Sequence, residues 1–241
     1  MVPVILEILR KILPPYFRVL LNTIKFYVIF SRRYGHLKSR LKNDVIAADG
    51  NCLPWYTYPT IEYLNGLDFS KSSVFEYGCG NSTVYWSNRA KSVTSVEHNK
   101  EYMELVLSKV SKNNVNIVYE SDLNKYPDVI AASGIKYDIV IIDGKSSTRT
   151  RSALLAIRHL SSKGFIIFDN SDRYPKISQF LRDKDLIQVD LHGMLPKGVT
   201  TNTTSLFLRR EFVVSPLYKR LPIDSICGQQ YVSIHDAYPE E

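Results

Sequence analysis

The sequence predicts an α/β fold: a doubly wound, mostly parallel sheet of seven strands with the last one reversed, in three α/β/α layers, preceded by an N-terminal helical arm. Three observations carry this. Runs rich in β-branched and aromatic residues at 73–77, 93–97, 116–119, 138–142, 164–168 and 186–191 alternate with helix-length stretches such as 99–111 and 148–161, the pattern of βαβ units. The segment from Leu191 to Ser205 shows no helical period, so a seventh strand at 205–208 returns antiparallel, as a hairpin-like partner at or near the edge. Finally, 241 residues with 44% apolar and 23% charged side chains suffice for one large domain with a short attachment.

The divisions that follow are 1–44, a basic amphipathic arm; 45–70, an aromatic segment and lead-in helix; 71–210, the α/β domain; and 211–241, a loosely packed extension with Pro216, Pro222 and Pro239. Cys52, Cys79 and Cys227 are few, odd in number and widely spaced, which argues against a disulfide framework or a Cys-rich zinc site and fits a cytoplasmic setting.

The net charge of +7 resides in the arm, where residues 1–44 hold nine Lys/Arg against Glu7 and Asp44, while the remainder balances at zero. A neutral body excludes nucleic acid as the expected partner. Within the arm, residues 4–13 and 16–30 place their charges on one helical sector, with Pro14-Pro15 breaking the run between them. Fifteen mostly apolar residues carrying two charges are too few to span a bilayer. Two readings stand: a helix lying at the inner face of a membrane with its basic residues on anionic headgroups, or a helical arm packed on the body or on a second subunit as a homodimer.

The first strand runs into Glu76-Tyr77-Gly78-Cys79-Gly80-Asn81-Ser82-Thr83. Gly78 and Gly80 let the backbone turn and approach a ligand, and Asn81 or Ser82 can cap the next helix. A dinucleotide fingerprint would place a third glycine where Thr83 stands, while Glu76 suits a ligand with positive charge, such as S-adenosylmethionine with its ammonium and sulfonium. Glu97, 21 residues on and followed by His98, closes the second strand with an acid suited to two ribose hydroxyls. Asp122 closes the third strand and Asp143 the fourth, so four consecutive strands end in an acid.

With these residues the chain resembles the class I, Rossmann-like S-adenosylmethionine-dependent methyltransferases over roughly residues 70–210. The resemblance implies cofactor contacts from Glu76, Gly78, Gly80, Asn81, Ser82, Glu97, His98, Asp122 and Asp143, and it equates Thr204-Ser205-Leu206-Phe207-Leu208 with the family's reversed seventh strand. Asp143, Asp169 and Asn170 resemble the metal ligands of the catechol and caffeoyl-coenzyme A O-methyltransferase branch, which implies Mg²⁺. Asp143-Gly144-Lys145 matches that branch's motif only in part, and Ser171-Asp172-Arg173 follows the Asn. Without a metal, a side chain must take the acceptor's proton; the candidates are Asp143, Lys145, Asp169 and His192. The aromatic run from Trp55 to Tyr58 either walls an acceptor pocket or packs in the core.

The function expected is therefore S-adenosylmethionine-dependent methyl transfer to a hydroxyl of a small molecule, a glycan or a glycolipid. A non-catalytic Rossmann-like module recruited by the arm is the alternative from another class, and a nicotinamide-dependent oxidoreductase is a third, disfavoured by Thr83 and the reversed strand.

Overall fold

The structure, a computed structural model, describes residues 14–218, 222–228 and 233. The helix expected over 4–13 lies outside the described residues, as does about half of the C-terminal extension.

Pro15 opens helix α1 (Pro15–Arg33), its fixed φ suiting a first helical position. Gly35, at φ +72°, ends the run and turns the chain into α2 (His36–Lys42); a Cβ there would lie 2.4 Å from the Ala47 carbonyl carbon, so this elbow admits only glycine. The lead-in helix α3 (Tyr58–Asn65) buries Tyr58, Ile61 and Leu64.

Then follow β1 (Ser73–Tyr77), α4 (Asn81–Ser87), β2 (Ser92–Glu97), α5 (Lys100–Lys109), β3 (Val115–Tyr119), a 3₁₀ segment (Tyr126–Ser133) and β4 (Tyr137–Ile142). The chain continues with α6 (Arg149–His159), β5 (Leu160–Asp169), α7 (Pro175–Asp183), β6 (Ile187–Met194) and β7 (Thr201–Leu208). The strands form one sheet in the order β3-β2-β1-β4-β5-β7-β6. β1 to β5 pair in parallel, and β7 runs antiparallel to both β5 and β6. The reversed strand is thus inserted between β5 and β6, which leaves β6 at the edge. The hairpin is also tighter than expected: His192, Gly193 and Met194 pair with Thr203, Asn202 and Thr201, so only residues 195–200 form the connection.

The central strands are buried on both faces, as parallel strands between helices must be. Alternate residues feed opposite cores: Val74, Ile139, Ile141, Phe165 and Ile167 pack with Trp86 and α3 on one side. Phe75, Tyr77, Val140, Ile142, Ile166 and Phe168 pack with α6 and α7 on the other. The three-layer α/β/α architecture is that sandwich. Beyond β7 the chain turns back, pairing Pro216 with Leu67 and donating Leu217 N–H to the Gly66 carbonyl, so the start of the expected loose extension is tied to the lead-in segment.

Candidate active site

The switch point of the sheet lies between β1 and β4, and the loops at their carboxyl ends make the crevice that open α/β sheets offer ligands. Gly78 adopts φ +91° directly after β1, 3.3 Å from Gly144 Cα measured from the Cβ it lacks. Replacing it with alanine combines left-handed strain with that contact; the expected loss is about 1–2 kcal/mol in urea unfolding. Gly80 starts α4, and a Cβ on it would meet the Tyr102 hydroxyl at 3.3 Å.

Around this loop a cavity of about 460 Å³ is lined by Cys79, Gly80, Asn81, Ser82, Tyr102 and Asp143, with Trp55, Lys109 and Lys197 toward its mouth. Asn81 anchors the rim: its amide donates to Asp44 Oδ1 at 2.7 Å and to the Val45 carbonyl at 2.9 Å. Lys109 Nζ then bridges Asp44 Oδ2 and Asn81 Oδ1, both at 3.1 Å.

Glu76 and Glu97 stand behind the loop rather than on the cavity wall. Glu76, 1% exposed, accepts hydroxyl hydrogen bonds from Ser82, from Thr83 at 2.5 Å and from Ser95 at 3.0 Å. Burial pushes its pKa up to about 7 against the pull of those three hydroxyls, with the nearby Asp143 charge adding to the rise. Glu97 accepts N–H bonds from Cys79 at 3.2 Å and from His98 and Asn99 at 2.9 Å. The His98 ring, at 2.8 Å from Glu97 Oε1, covers the carboxylate from outside. Asp122 lies apart from the cavity lining; its Oδ1 accepts from Asn124 N–H and shapes the turn after β3.

Asp143 presents its carboxylate to the cavity and pairs through Oδ1 with Arg149 Nη2 at 2.9 Å. Burial raises its pKa and the guanidinium opposes the rise. Arg149 is 6% exposed; its Nη1 donates to the Asp169 carbonyl at 2.6 Å and its Nε to the Gly144 carbonyl at 3.1 Å. Asp169 is pushed up to about 8, by burial first and then by the Asp143 charge.

Residues 75–171 match the family profile described as a methyltransferase domain. Over that span the chain is similar to methyltransferase domains. Solved structures agree on the fold. The O-methyltransferase TomG from Streptomyces achromogenes, involved in tomaymycin synthesis and solved with SAM, is 13% identical over 63% of this chain and 77% of that one, at a TM-score of 0.51. Cofactor-bound Rv0187 from MTB is 20% identical over 64% and 78%, with a TM-score of 0.50. Nothing among curated proteins matches the sequence.

Of the residues expected to act, the structure brings Gly80, Asn81, Ser82 and Asp143 together on the cavity wall. Lys145 is exposed in the turn before α6 and is not among the cavity residues. His192 lines a separate hollow with Ser171, Asp190 and Thr203, its Nδ1 2.8 Å from Thr203 Oγ1. The alternation of β6 explains this: Leu191 packs into the core that holds α3, so His192 faces the other way. Trp55 reaches the cavity, whereas Tyr56 and Tyr58 are core residues.

The implied Mg²⁺ ligands do not fit an ion. Asp143 Oδ1 is held by Arg149, Asp169 Oδ1 accepts from Thr204 Oγ1 at 2.7 Å, and Asp169 Oδ2 accepts from the Asn170 amide at 2.7 Å. Hydrogen-bond donors therefore occupy Asp143 Oδ1 and both Asp169 oxygens, and the positive charge beside them is a guanidinium. Among the described residues, no group of three or more His, Cys, Asp or Glu is placed to hold a metal.

Sequence reasoning missed Asp44, Tyr102, Lys109 and Lys197. Tyr102, Leu105 and Lys109 follow an i, i+3, i+7 spacing that marks one helical face, but only the docking of α5 beside the glycine loop shows what that face lines. Asp44 comes from the arm, 37 residues before Asn81, and no local pattern announces it.

Proposed function

We propose that the protein transfers a methyl group from S-adenosylmethionine to a hydroxyl of a small-molecule, glycan or lipid-linked acceptor. The observation that carries the reading is the cavity at the switch point, floored by a glycine loop whose backbone turn at Gly78 disfavours side chains and bordered by Asp143. Its volume, about 460 Å³, is in the range of small-ligand sites.

Bound there, S-adenosylmethionine would supply a methyl carbon activated by a cationic sulfur. Glu97 is the acid at the end of β2, where a ribose would lie, and the His98 ring beside it would have to give way for hydroxyls to reach it. Tyr102 and Trp55 bound the space and limit water, which favours displacement between oriented reactants. Among the described residues no side chain donates to Asp143 Oδ2, so this oxygen is open to take the acceptor's proton. Asp143 would take the acceptor's proton as the methyl group is transferred, leaving the demethylated thioether as the other product.

Thr83 weighs against a dinucleotide. Where such folds keep glycine, this side chain is buried and joins Gly80 N–H, at 3.0 Å, to Glu76.

Calorimetric titration tests the reading. Binding of S-adenosylmethionine with a dissociation constant of roughly 1–10 µM is expected, with none for NAD⁺. Glu97→Gln should weaken binding by about 2 kcal/mol, about 30-fold, because a charge-assisted pair of hydrogen bonds to the ribose is lost. Tighter binding of NAD⁺ would overturn the assignment. Labelled methyl incorporated as a methoxy group, in extracts separated into lipid, glycan and small-molecule pools, identifies the acceptor.

A further inference from the structure

Helix α1 exposes much of its apolar surface. Its carboxyl end is fixed: the Phe30 and Tyr34 rings pack on Tyr58, and Arg33 donates to the Ile226 carbonyl. The preceding turns project, with Tyr16 74%, Val19 65% and Phe26 65% exposed, and α2 continues the apolar surface through Leu41 at 79%. A face of this size on a globular protein requires an occupant. The polar residues Arg18, Asn22, Lys25, Arg32 and Arg33 fall within one sector of about 100°, so the helix is amphipathic with a wide apolar side. No described helix is long and apolar enough to cross a membrane.

Charge decides what covers it. Residues 15–42 contain seven Lys/Arg and no Asp or Glu. Two copies joining their apolar faces would leave the basic sectors unmatched in solvent, whereas an anionic surface meets both features of the arm. The Gly35 elbow, closed by backbone contacts with Ala47, holds α1 in a set direction relative to the body. At the base of the arm a groove of about 360 Å³ runs between Leu37, Leu41 and Ala48, edged by Arg32, Lys38 and Lys42. Lys42 also lines the methyl-transfer cavity, so groove and cavity share a wall.

We propose that α1 and α2 dock on an anionic lipid bilayer, lying in its interface, and thereby set the mouth of the cavity at the headgroup layer. Resting on the methyl-transfer reading, the acceptor is then a lipid-linked anion drawn from that surface, met by Lys42 and Lys197. The docking itself needs no turnover.

Co-sedimentation of the full chain with vesicles tests the docking. With phosphatidylcholine containing roughly 30 mol% phosphatidylserine, strong pelleting is expected, falling at least tenfold on pure phosphatidylcholine and in about 0.5 M salt. The double substitution Val19→Asp, Phe26→Asp should abolish pelleting with an unchanged circular dichroism spectrum, since both side chains are in solvent. Lys25→Glu should weaken binding roughly fivefold or more while leaving the apolar face intact. Equal pelleting on both vesicles, or pelleting that survives the double substitution, overturns the proposal. So does lipid-free dimerisation that the double substitution removes, which would assign the face to a second copy. Because none of these readouts involves methyl transfer, failure here leaves the catalytic reading standing, and failed cofactor binding leaves the docking standing.

Discussion

Arg149→Met is expected to lower the unfolding free energy by about 3 kcal/mol, because removing one partner of a buried ion pair strands the other in a poorly hydrated site. The guanidinium reaches three oxygens at once, Asp143 Oδ1, the Asp169 carbonyl and the Gly144 carbonyl. Its plane also lies over Tyr174, with the guanidinium carbon 5.1 Å from the ring centroid. Methionine keeps the volume and loses every donor. Lysine keeps the charge but cannot serve three divergent acceptors from one ammonium, so Arg149→Lys should recover less than half of the loss. Asp143→Asn alone should also destabilise, and the double variant should be less damaged than the sum of the singles, with a coupling of about 1–3 kcal/mol in urea unfolding. Additive losses would show that the pair does not act as a unit. The same arrangement predicts that exhaustive chelation leaves both the melting temperature and turnover unchanged; a melting temperature that falls with chelator and returns with Mg²⁺ would restore the metal reading against the donor geometry.

What was legible in the sequence was what depends on local pattern. Alternating runs such as Val74 to Tyr77 and Ile139 to Ile142 state a strand buried on both faces, and the glycines at 78 and 80 state a tight approach of backbone to ligand. The reversed strand was also readable, because a linker without helical period cannot make a parallel crossover. Its position between β5 and β6 was not, since adjacency in the sheet is decided by which edges remain open once the other strands have paired. Residue types at the strand ends identified the site but not the state of each group. Asp143, Asp169 and Asn170 satisfy a metal pattern by identity, yet Arg149, six residues beyond Asp143, supplies the positive charge from the first turn of α6. Likewise Glu76 and Glu97 announced a cationic nucleoside, whereas their placement behind the loop depends on Ser82, Thr83, Ser95 and the backbone of Cys79.

Glu76 makes the stability of the ligand-free protein fall as pH rises, and makes cofactor binding respond in the opposite sense. Its folded pKa of about 7 lies above the ordinary 4.5, so between these values the folded chain binds more protons than the unfolded one. Stability therefore declines with pH through this window and levels above it, by about 3 kcal/mol for a shift of this size. Asp169, raised to about 8 from 3.8, adds a decline of the same sign that extends about one unit higher. Asp44 and Asp68, whose pKa values are lowered, contribute stability that is lost only toward acid; His36, lowered from 6.5 by burial, opposes the decline below that value, and Asp143, raised by burial, adds to it. Glu76→Gln should make this slope shallower, leaving the part due to Asp169 and Asp143. An ammonium-bearing ligand favours the ionised carboxylate, so S-adenosylmethionine affinity should rise about tenfold from pH 5.5 to 8 in the wild type and much less in Glu76→Gln. Urea unfolding and calorimetric titration across the same buffers give both trends from one preparation. Ligand-free stability that stays flat, or cofactor affinity whose pH dependence is the same in the glutamine variant, would remove Glu76 from both roles.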